Sequence, residues 1–149
     1  MKVAIGSDHG GYRLKTKISA FLKKRGHEVL DIGTHSPESC DYPPIGYQLA
    51  RGVADGAWER GILICKTGIG FSIVANKVAG VRAALCTTAL QARRSREHND
   101  ANVLCLAGSY LSARKAGAIV GKWLTTPFFA GRHARRVRQI TNIEKKGHK

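Results

Sequence analysis

The chain has 149 residues, of which 43% are hydrophobic and 23% charged, and its 25 lysines and arginines against 10 acidic residues give a net charge of +15. This length is typical of one domain with one hydrophobic core, and the composition excludes a mainly disordered or collagen-like chain. No apolar run approaches the roughly 20 residues of a membrane helix, and the N-terminus lacks the apolar stretch of a signal peptide, so we expect a single cytoplasmic domain over residues 1–149.

The predicted elements alternate between strand and helix along the chain. A β-branched run at 2–6 predicts a strand, and Leu14, Ile18 and Leu22 then recur at helical spacing. The alternation continues with strands at 28–32, 61–65, 81–85 and 103–107 and helices at 45–54, 70–78, 88–98 and 112–124. A basic C-terminal helix and tail begin at about residue 130. Five strands in this pattern predict an α/β fold with a parallel sheet covered on both faces and with ligands bound at the carboxyl ends of the strands.

The excess positive charge indicates an anionic partner. Nucleic acid and a small phosphorylated substrate are the two candidates, while a solvated tail explains residues 145–149 equally well. Aromatic residues make up only 7% of the chain and are not interleaved with the basic cluster, which weakens a stacking mode of nucleic-acid binding. A nicotinamide oxidoreductase is disfavoured because the chain has no G-x-G-x-x-G motif.

The four cysteines have no paired spacing. Cys40, Cys65, Cys86 and Cys105 form no C-x-x-C motif, so neither a zinc site nor a disulfide framework is predicted. We expect free thiols, with Cys86 and Cys105 as small buried core residues.

A glycine-rich loop follows the third predicted strand, at Cys65-Lys66-Thr67-Gly68-Ile69-Gly70. Glycines allow main-chain N–H groups to converge on one point, where they stabilise an oxyanion or phosphate. A cysteine at such a loop is favoured as a thiolate that can act as a base or nucleophile. The alternative for Cys65 is a buried apolar side chain.

Two further polar clusters follow or precede predicted strands. Asp8 and His9 come after the first strand and could form an acid–base or hydroxyl-binding pair, or Asp8 could cap the first helix. His98 and Asn99 end the fourth helix, where they are either part of a site or a C-cap with Asn99 as the left-handed terminator.

Arg132 and Arg136 stand four residues apart on the C-terminal helix with His133 beside them. Two guanidinium groups at this spacing lie on one helix face, where they suit a phosphate dianion. A solvated basic helix is the alternative.

Four separated motifs occur in the order and spacing found in type B ribose-5-phosphate isomerases, namely DHGGYRLK, CKTGIGFSIVANK, SREHNDANVL and GRHARRV. The sequence closely resembles that family, in the group that includes the galactose-6-phosphate isomerase subunits, from about residue 1 to 144. The resemblance implies a Rossmann-like three-layer α/β/α sandwich without metal or cofactor. It also implies a homodimer with shared active sites, which could associate into a tetramer, and interconversion of ribose 5-phosphate and ribulose 5-phosphate.

The resemblance assigns roles to residues that match the family motifs. Cys65 matches the base that moves a proton between C2 and C1 through a cis-enediolate, and His98 and Thr67 match residues that help to open the sugar ring. The loop whose amides hold the enediolate oxygen matches Thr67, Gly68, Ile69 and Gly70. Positions that contact the sugar or its phosphate match Asp8, His9, Tyr42, Asn99, Arg132 and Arg136, with the two arginines reaching in from the partner subunit.

Two positions depart from the family pattern. Lys66 stands where the family usually has glycine, and Tyr110 stands where many members carry arginine. Lys66 either points to solvent or contacts the thiolate or the substrate, and we count it as a candidate binding residue. These departures leave open another substrate, such as allose 6-phosphate, galactose 6-phosphate or a tetrose phosphate, and more remotely a non-catalytic anion- or nucleic-acid-binding module.

Overall fold

The computed structural model describes residues 1–147, in which five strands alternate with six helices. The strands are β1 (Lys2–Ser7), β2 (Glu28–Gly33), β3 (Arg60–Cys65), β4 (Ala83–Leu85) and β5 (Val103–Ala107). The helices are α1 (Tyr12–Lys24), α2 (Tyr42–Ala54), α3 (Ile69–Ala75), α4 (Ala89–Asn99), α5 (Ala113–Thr125) and α6 (Ala130–Gly147). Every predicted strand and helix is present, which confirms the alternating pattern.

The five strands form one parallel sheet in the order β2-β1-β3-β5-β4. Strands β3 and β5 lie inside the sheet and are almost wholly apolar because helices cover both of their faces. The strand order reverses at β1, since β2 lies on one side of it and β3 on the other. In open α/β sheets, ligands bind at such a switch point, beyond the carboxyl ends of the strands.

Alternation of side chains along each strand divides the core into two layers. On one face Ile64 packs with Trp123 of α5 in a cluster that also includes α1. On the other face Cys65 packs with Leu49 of α2 and Phe71 of α3. The side chain of Cys65 therefore belongs to the α2–α3 face of the predicted α/β/α sandwich, which the structure confirms.

Helix α2 begins at Tyr42 rather than at residue 45, and two further boundary differences lie between α3 and β4. Helix α3 ends at Ala75 rather than near residue 78, and β4 begins at Ala83 rather than at residue 81. The side chain of Asn76 explains both, because its Nδ2 donates to the carbonyl of Ala83 and its Oδ1 accepts from the Ala83 amide, at 3.0 and 2.9 Å. These bonds tie the end of the helix to the start of the strand.

The basic C-terminal segment is helical as far as Gly147, so Lys145 and Lys146 belong to α6. The end of the predicted tail, residues 148–149, lies outside the described residues. Helix α6 packs against α4, and Glu144 accepts a hydrogen bond from the Gly80 amide at 3.1 Å. Among residues 1–147, no helix combines the length and the apolar character needed to cross a membrane.

Candidate active site

A cleft of about 460 Å³ lies at the switch point, beyond the carboxyl ends of β1 and β3. We call it the switch-point cleft, and its lining residues are Asp8, His9, Tyr42, Cys65, Lys66, Thr67, Ile69, Gly70 and Ile73. All but Ile73 are predicted site residues. Ile73 could have been found from its position one helical turn after Ile69, where it exposes an apolar side chain beside the loop.

Cys65 lies at the end of β3 and lines the cleft, and the residue is 5% exposed. The amide of Gly68 donates a hydrogen bond to Cys65 Sγ at 3.1 Å. Gly68 has φ of +75°, and a Cβ there would lie 2.5 Å from the Leu85 side chain, so this position requires glycine. A fixed N–H donor beside the sulfur stabilises negative charge on it.

The rest of the glycine-rich loop lies along the same wall. The amide of Ile69 donates to Thr67 Oγ1 at 3.3 Å. A Cβ on Gly70 would lie 2.6 Å from the Tyr42 ring, which itself contacts Phe71 edge-on with ring centroids 5.6 Å apart. The glycine therefore allows Tyr42 to close one side of the cleft.

Asp8 and His9 face this loop from the end of β1. Asp8 is 7% exposed, and its Oδ1 accepts a hydrogen bond from the Gly11 amide at 3.0 Å. The N-cap of α1 is Gly11 itself, without a side-chain cap, so Asp8 stabilises the turn before the helix rather than capping it. A Cβ on Gly11 would overlap the carbonyl oxygen of Ile64, and only glycine lets this turn approach β3 so closely.

The two departures from the family pattern lie in different places. Lys66 is exposed on the cleft wall, and its aliphatic stem runs against Gly10. Tyr110 is 73% exposed and does not line the cleft. Of the two, only Lys66 is placed to contact a molecule in the cleft.

A second group of predicted residues lies on α4 and α6, apart from the cleft lining. We call this group the His98 patch, and it consists of His98, Asn99, Arg132, His133 and Arg136. The rings of His98 and His133 stack with centroids 4.3 Å apart and planes 13° apart. The single chain therefore does not bring these residues to Cys65.

Burial of the His133 ring lowers its pKa, and the neighbouring His98, Arg132 and Arg136 lower it further. Its histidine partner and both arginines thus disfavour a further positive charge, and the stack is most stable when His133 is neutral. Sequence analysis placed His133 beside the arginines but did not predict the stacking, because α4 and α6 are far apart in the chain.

The end of α4 corrects one alternative considered from the sequence. Asp100, with φ of 47° and ψ of 45°, is the left-handed terminator, and Asn99 is the last helical residue. Arg96 fixes this turn by donating to Asp100 Oδ1 and to the Ala101 carbonyl, both at 2.7 Å. Asn99 instead lines a separate cleft of about 440 Å³ between β4 and α6.

The other cysteines differ from Cys65 in their surroundings. Cys86 and Cys105 are buried in the two core clusters, as predicted. Burial raises the pKa of the Cys86 thiol to about 11 and raises the pKa of Cys105 further still. Cys65 is the buried cysteine that also lines the switch-point cleft. No three His, Cys, Asp or Glu side chains in the described part of the chain are grouped as metal ligands would be.

Comparison with known proteins gives one consistent result. Residues 3–140 match the family described as Ribose/Galactose Isomerase. Ribose-5-phosphate isomerase B of Escherichia coli is 48% identical over 145 residues, covering 97% of each chain. D-erythrulose-4-phosphate isomerase of Pectobacterium atrosepticum is 40% identical over 146 residues, covering 97% of this chain and 95% of the relative.

The solved structure of Clostridium thermocellum ribose-5-phosphate isomerase B superimposes with a TM-score of 0.97 at 57% identity, covering 98% of this chain and 99% of that one. Fold and sequence agree over nearly the whole length of both chains. The chain belongs to the ribose/galactose isomerase family and is a sugar-phosphate isomerase.

Proposed function

We propose that this isomerase interconverts ribose 5-phosphate and ribulose 5-phosphate through a cis-enediolate, with Cys65 as the base. The observation that carries the proposal is the position of Cys65, which lines the cleft and whose Sγ accepts the Gly68 N–H at 3.1 Å. Proton removal next to a carbonyl needs a positioned base and donors for the oxygen that becomes negative. The loop after β3 offers both within six residues.

In the proposed reaction the sugar is bound in its open-chain form, with C1 and C2 above Cys65. The thiolate removes the proton from C2, and the electron pair of that C–H bond forms the C1–C2 double bond while O1 becomes negative. Amides of the loop Thr67–Gly70 hold this oxygen. The O2 proton then passes to O1, the thiol returns its proton to C1, and C2 becomes the ketone.

The residues around the cleft suit the rest of the substrate. Asp8 and His9 lie opposite the loop, where they would hold sugar hydroxyls, and Tyr42 would pack against the sugar chain. Thr67, whose hydroxyl accepts from the Ile69 amide, would assist ring opening together with His98.

We propose that a homodimer completes each site. Among residues 1–147, Lys66 is the one lysine or arginine on the wall of the cleft, whereas Arg132 and Arg136 are exposed on α6. Ile69 and Ile73 at the cleft are 52% and 56% exposed, which is the apolar surface that a partner would cover. In this arrangement the His98 patch of one subunit faces the cleft of its partner and supplies the phosphate-binding guanidinium groups. A cytoplasmic location suits an enzyme whose four cysteines are free.

Another sugar phosphate is the second candidate substrate. The observation that favours it is Lys66, whose side chain lies on the cleft wall and adds a positive charge and bulk at a position where glycine is usual. The relative named D-erythrulose-4-phosphate isomerase shows that this family includes enzymes for a shorter sugar.

The test is a panel of aldose phosphates incubated with the protein in deuterium oxide. Ribose 5-phosphate, allose 6-phosphate, galactose 6-phosphate and a tetrose phosphate are compared for product formation and for deuterium at C1 of the product. We expect the highest kcat/KM for ribose 5-phosphate and incorporation of solvent deuterium. A higher kcat/KM for another sugar would make that sugar the preferred substrate. Unchanged turnover of ribose 5-phosphate by a folded Cys65→Ala variant would contradict the proposed base, while any incorporation of solvent deuterium at C1 supports the enediolate.

A further inference from the structure

The loop between β2 and α2 is hydrogen-bonded to a residue that lines the switch-point cleft. The main-chain amide of Cys40 donates a hydrogen bond to His9 Nδ1, with the nitrogen atoms 3.2 Å apart. A peptide N–H can only donate, so Nδ1 must carry the lone pair. In a neutral imidazole the hydrogen then lies on Nε2.

This loop is anchored near its start by a buried charge. Lys15 is 1% exposed, and its ammonium donates to the Asp31 carboxylate and, at 2.7 Å, to the Thr34 carbonyl. The Thr34 amide in turn donates to the Ser7 carbonyl at the end of β1. The loop that carries the Cys40 amide is thus fastened to the end of β1, two residues before His9.

The tautomer of His9 decides whether this side of the cleft offers a hydrogen-bond donor beside the Asp8 carboxylate. The carboxylate of Asp8 can only accept hydrogen bonds, and one of its oxygens is already bonded to the Gly11 amide. If His9 also presented a lone pair, this side of the cleft would offer acceptors alone. With Nε2–H exposed to the cleft, Asp8 and His9 form an acceptor and a donor, which is the pair that a sugar hydroxyl can satisfy fully.

We infer that the Cys40 amide is a positioning group that fixes His9 as the Nε2–H tautomer and so makes His9 a hydrogen-bond donor to a substrate hydroxyl. The inference rests on the proposed function for the identity of the substrate. The tautomer itself is a property of the free protein and can be measured without substrate.

The first experiment is NMR on the unliganded full-length protein labelled with nitrogen-15, at a pH where histidine is neutral. We expect His9 to show a pyrrole-like Nε2, a pyridine-like Nδ1 and a scalar coupling across the hydrogen bond between Nδ1 and the Cys40 amide nitrogen. Averaged shifts typical of a freely exchanging imidazole, a protonated Nδ1 or an absent coupling would overturn the inference. Failure to isomerise ribose 5-phosphate would contradict the proposed function and leave this readout unchanged.

The second experiment removes the donor from the loop. Cys40→Pro deletes the N–H, whereas Cys40→Ala retains it and is the matched control. We expect the proline variant to lose the fixed tautomer and to raise KM about tenfold with a smaller change in kcat, as for loss of one hydrogen bond. The alanine variant is expected to keep the coupling. Loss of the fixed tautomer in both variants, or in neither, would contradict a role for the amide.

A pair of variants at His9 provides a readout that does not depend on tolerance of proline at residue 40. His9→Gln places an N–H donor near the position of Nε2, and His9→Asn places an acceptor near Nδ1 without the distal donor. We expect KM of the asparagine variant to exceed that of the glutamine variant about tenfold, because only the glutamine N–H extends as far as the position of His9 Nε2. Equal KM values, or a higher value for glutamine, would overturn the proposed donor role.

Discussion

The switch-point cleft and the His98 patch contain the predicted site residues in two different physical forms. The cleft is built from close-packed glycines, main-chain amides and buried side chains such as Cys65. The patch is built from exposed arginines on α6 beside a stacked histidine pair. One region holds atoms in fixed positions, and the other concentrates positive charge on long side chains.

This difference matches the two tasks of a sugar-phosphate isomerase. A reacting carbon needs a base and donors fixed to within a fraction of an ångström, which main-chain amides provide because they cannot move without distorting the fold. A phosphate group far from the reacting carbons needs charge and reach, which guanidinium groups provide. Since the two regions do not meet within one chain, we expect each subunit to hold half of two sites.

The largest expected effect comes from removing the proposed base. Cys65→Ala is expected to lower kcat by about 10³-fold or more, because proton transfer by a positioned base contributes on the order of 10²–10⁴-fold. Steady-state kinetics together with circular dichroism and thermal unfolding provide the measurement.

Cys86→Ala is the matched control, because it removes a second buried thiol that lies in the core away from the cleft. It is expected to lower stability by about 1 kcal/mol and to leave kcat within twofold of the wild-type value. Turnover near the wild-type value in a folded Cys65→Ala variant would show that Cys65 is not the base.

An intermediate effect is expected in the patch. Arg136→Ala is expected to raise KM by roughly 10–100-fold and to reduce kcat less, because it removes a charge-assisted contact to the phosphate worth about 1.5–3 kcal/mol. Steady-state kinetics give kcat and KM for the substrate. The inhibition constant of inorganic phosphate, used as a competitive inhibitor, is measured for the same variants.

Mixing the two variants tests whether the regions meet across subunits. A refolded equal mixture of Cys65→Ala and Arg136→Ala is expected to recover about a quarter of the wild-type kcat/KM, measured at substrate concentrations well below KM, because half of the dimers are mixed and each carries one intact site. Activity no higher than the mean of the two separate variants would place both residues in the same subunit's site and contradict the proposed dimer.

The smallest expected effect concerns the histidine stack. The lowered pKa of His133 means that the folded state resists protonation, so this contribution to stability is complete above the unfolded pKa of about 6.5 and is lost as pH falls below it. We expect the free energy of unfolding to decline less steeply between pH 7 and 5 in His133→Gln than in the wild type, as measured by urea denaturation.

His35→Gln is the control for this comparison, because His35 is 73% exposed and lies outside the patch. It controls for the loss of a histidine as such, and its unfolding is measured by urea denaturation over the same pH range. A His133→Gln profile parallel to the wild-type profile would show that the stack does not respond to pH.

Sequence reasoning predicted the elements well where the signal was local. The apolar runs of β3 and β5 and the spacing of Leu14, Ile18 and Leu22 in α1 identified elements that the structure confirms. The boundary between α3 and β4 was wrong by two or three residues at each end. It is set by Asn76, whose side chain bonds to a strand that begins seven residues later, and such a contact leaves no periodic pattern in the sequence.

The same distinction applies to the site. The glycines after β3 predicted a close-packed loop. The resemblance of the motifs to a known family then predicted most of the residues that line the cleft. Ile73 and the Cys40 amide were missed. A peptide N–H carries no sequence signal at all, since every residue except proline has one.

By itself, the sequence determined the order of strands and helices, the apolar faces that drive them together and the residue types available for chemistry, because propensity and periodicity act over a few neighbouring residues. Tertiary structure alone decided which of those residues meet. The parallel register of β1 and β3 set Asp8 and His9 opposite Cys65, and the packing of α6 on α4 stacked His133 on His98 and left the arginines outside the cleft. Such contacts join segments far apart in the chain, so they depend on the packing of the whole fold.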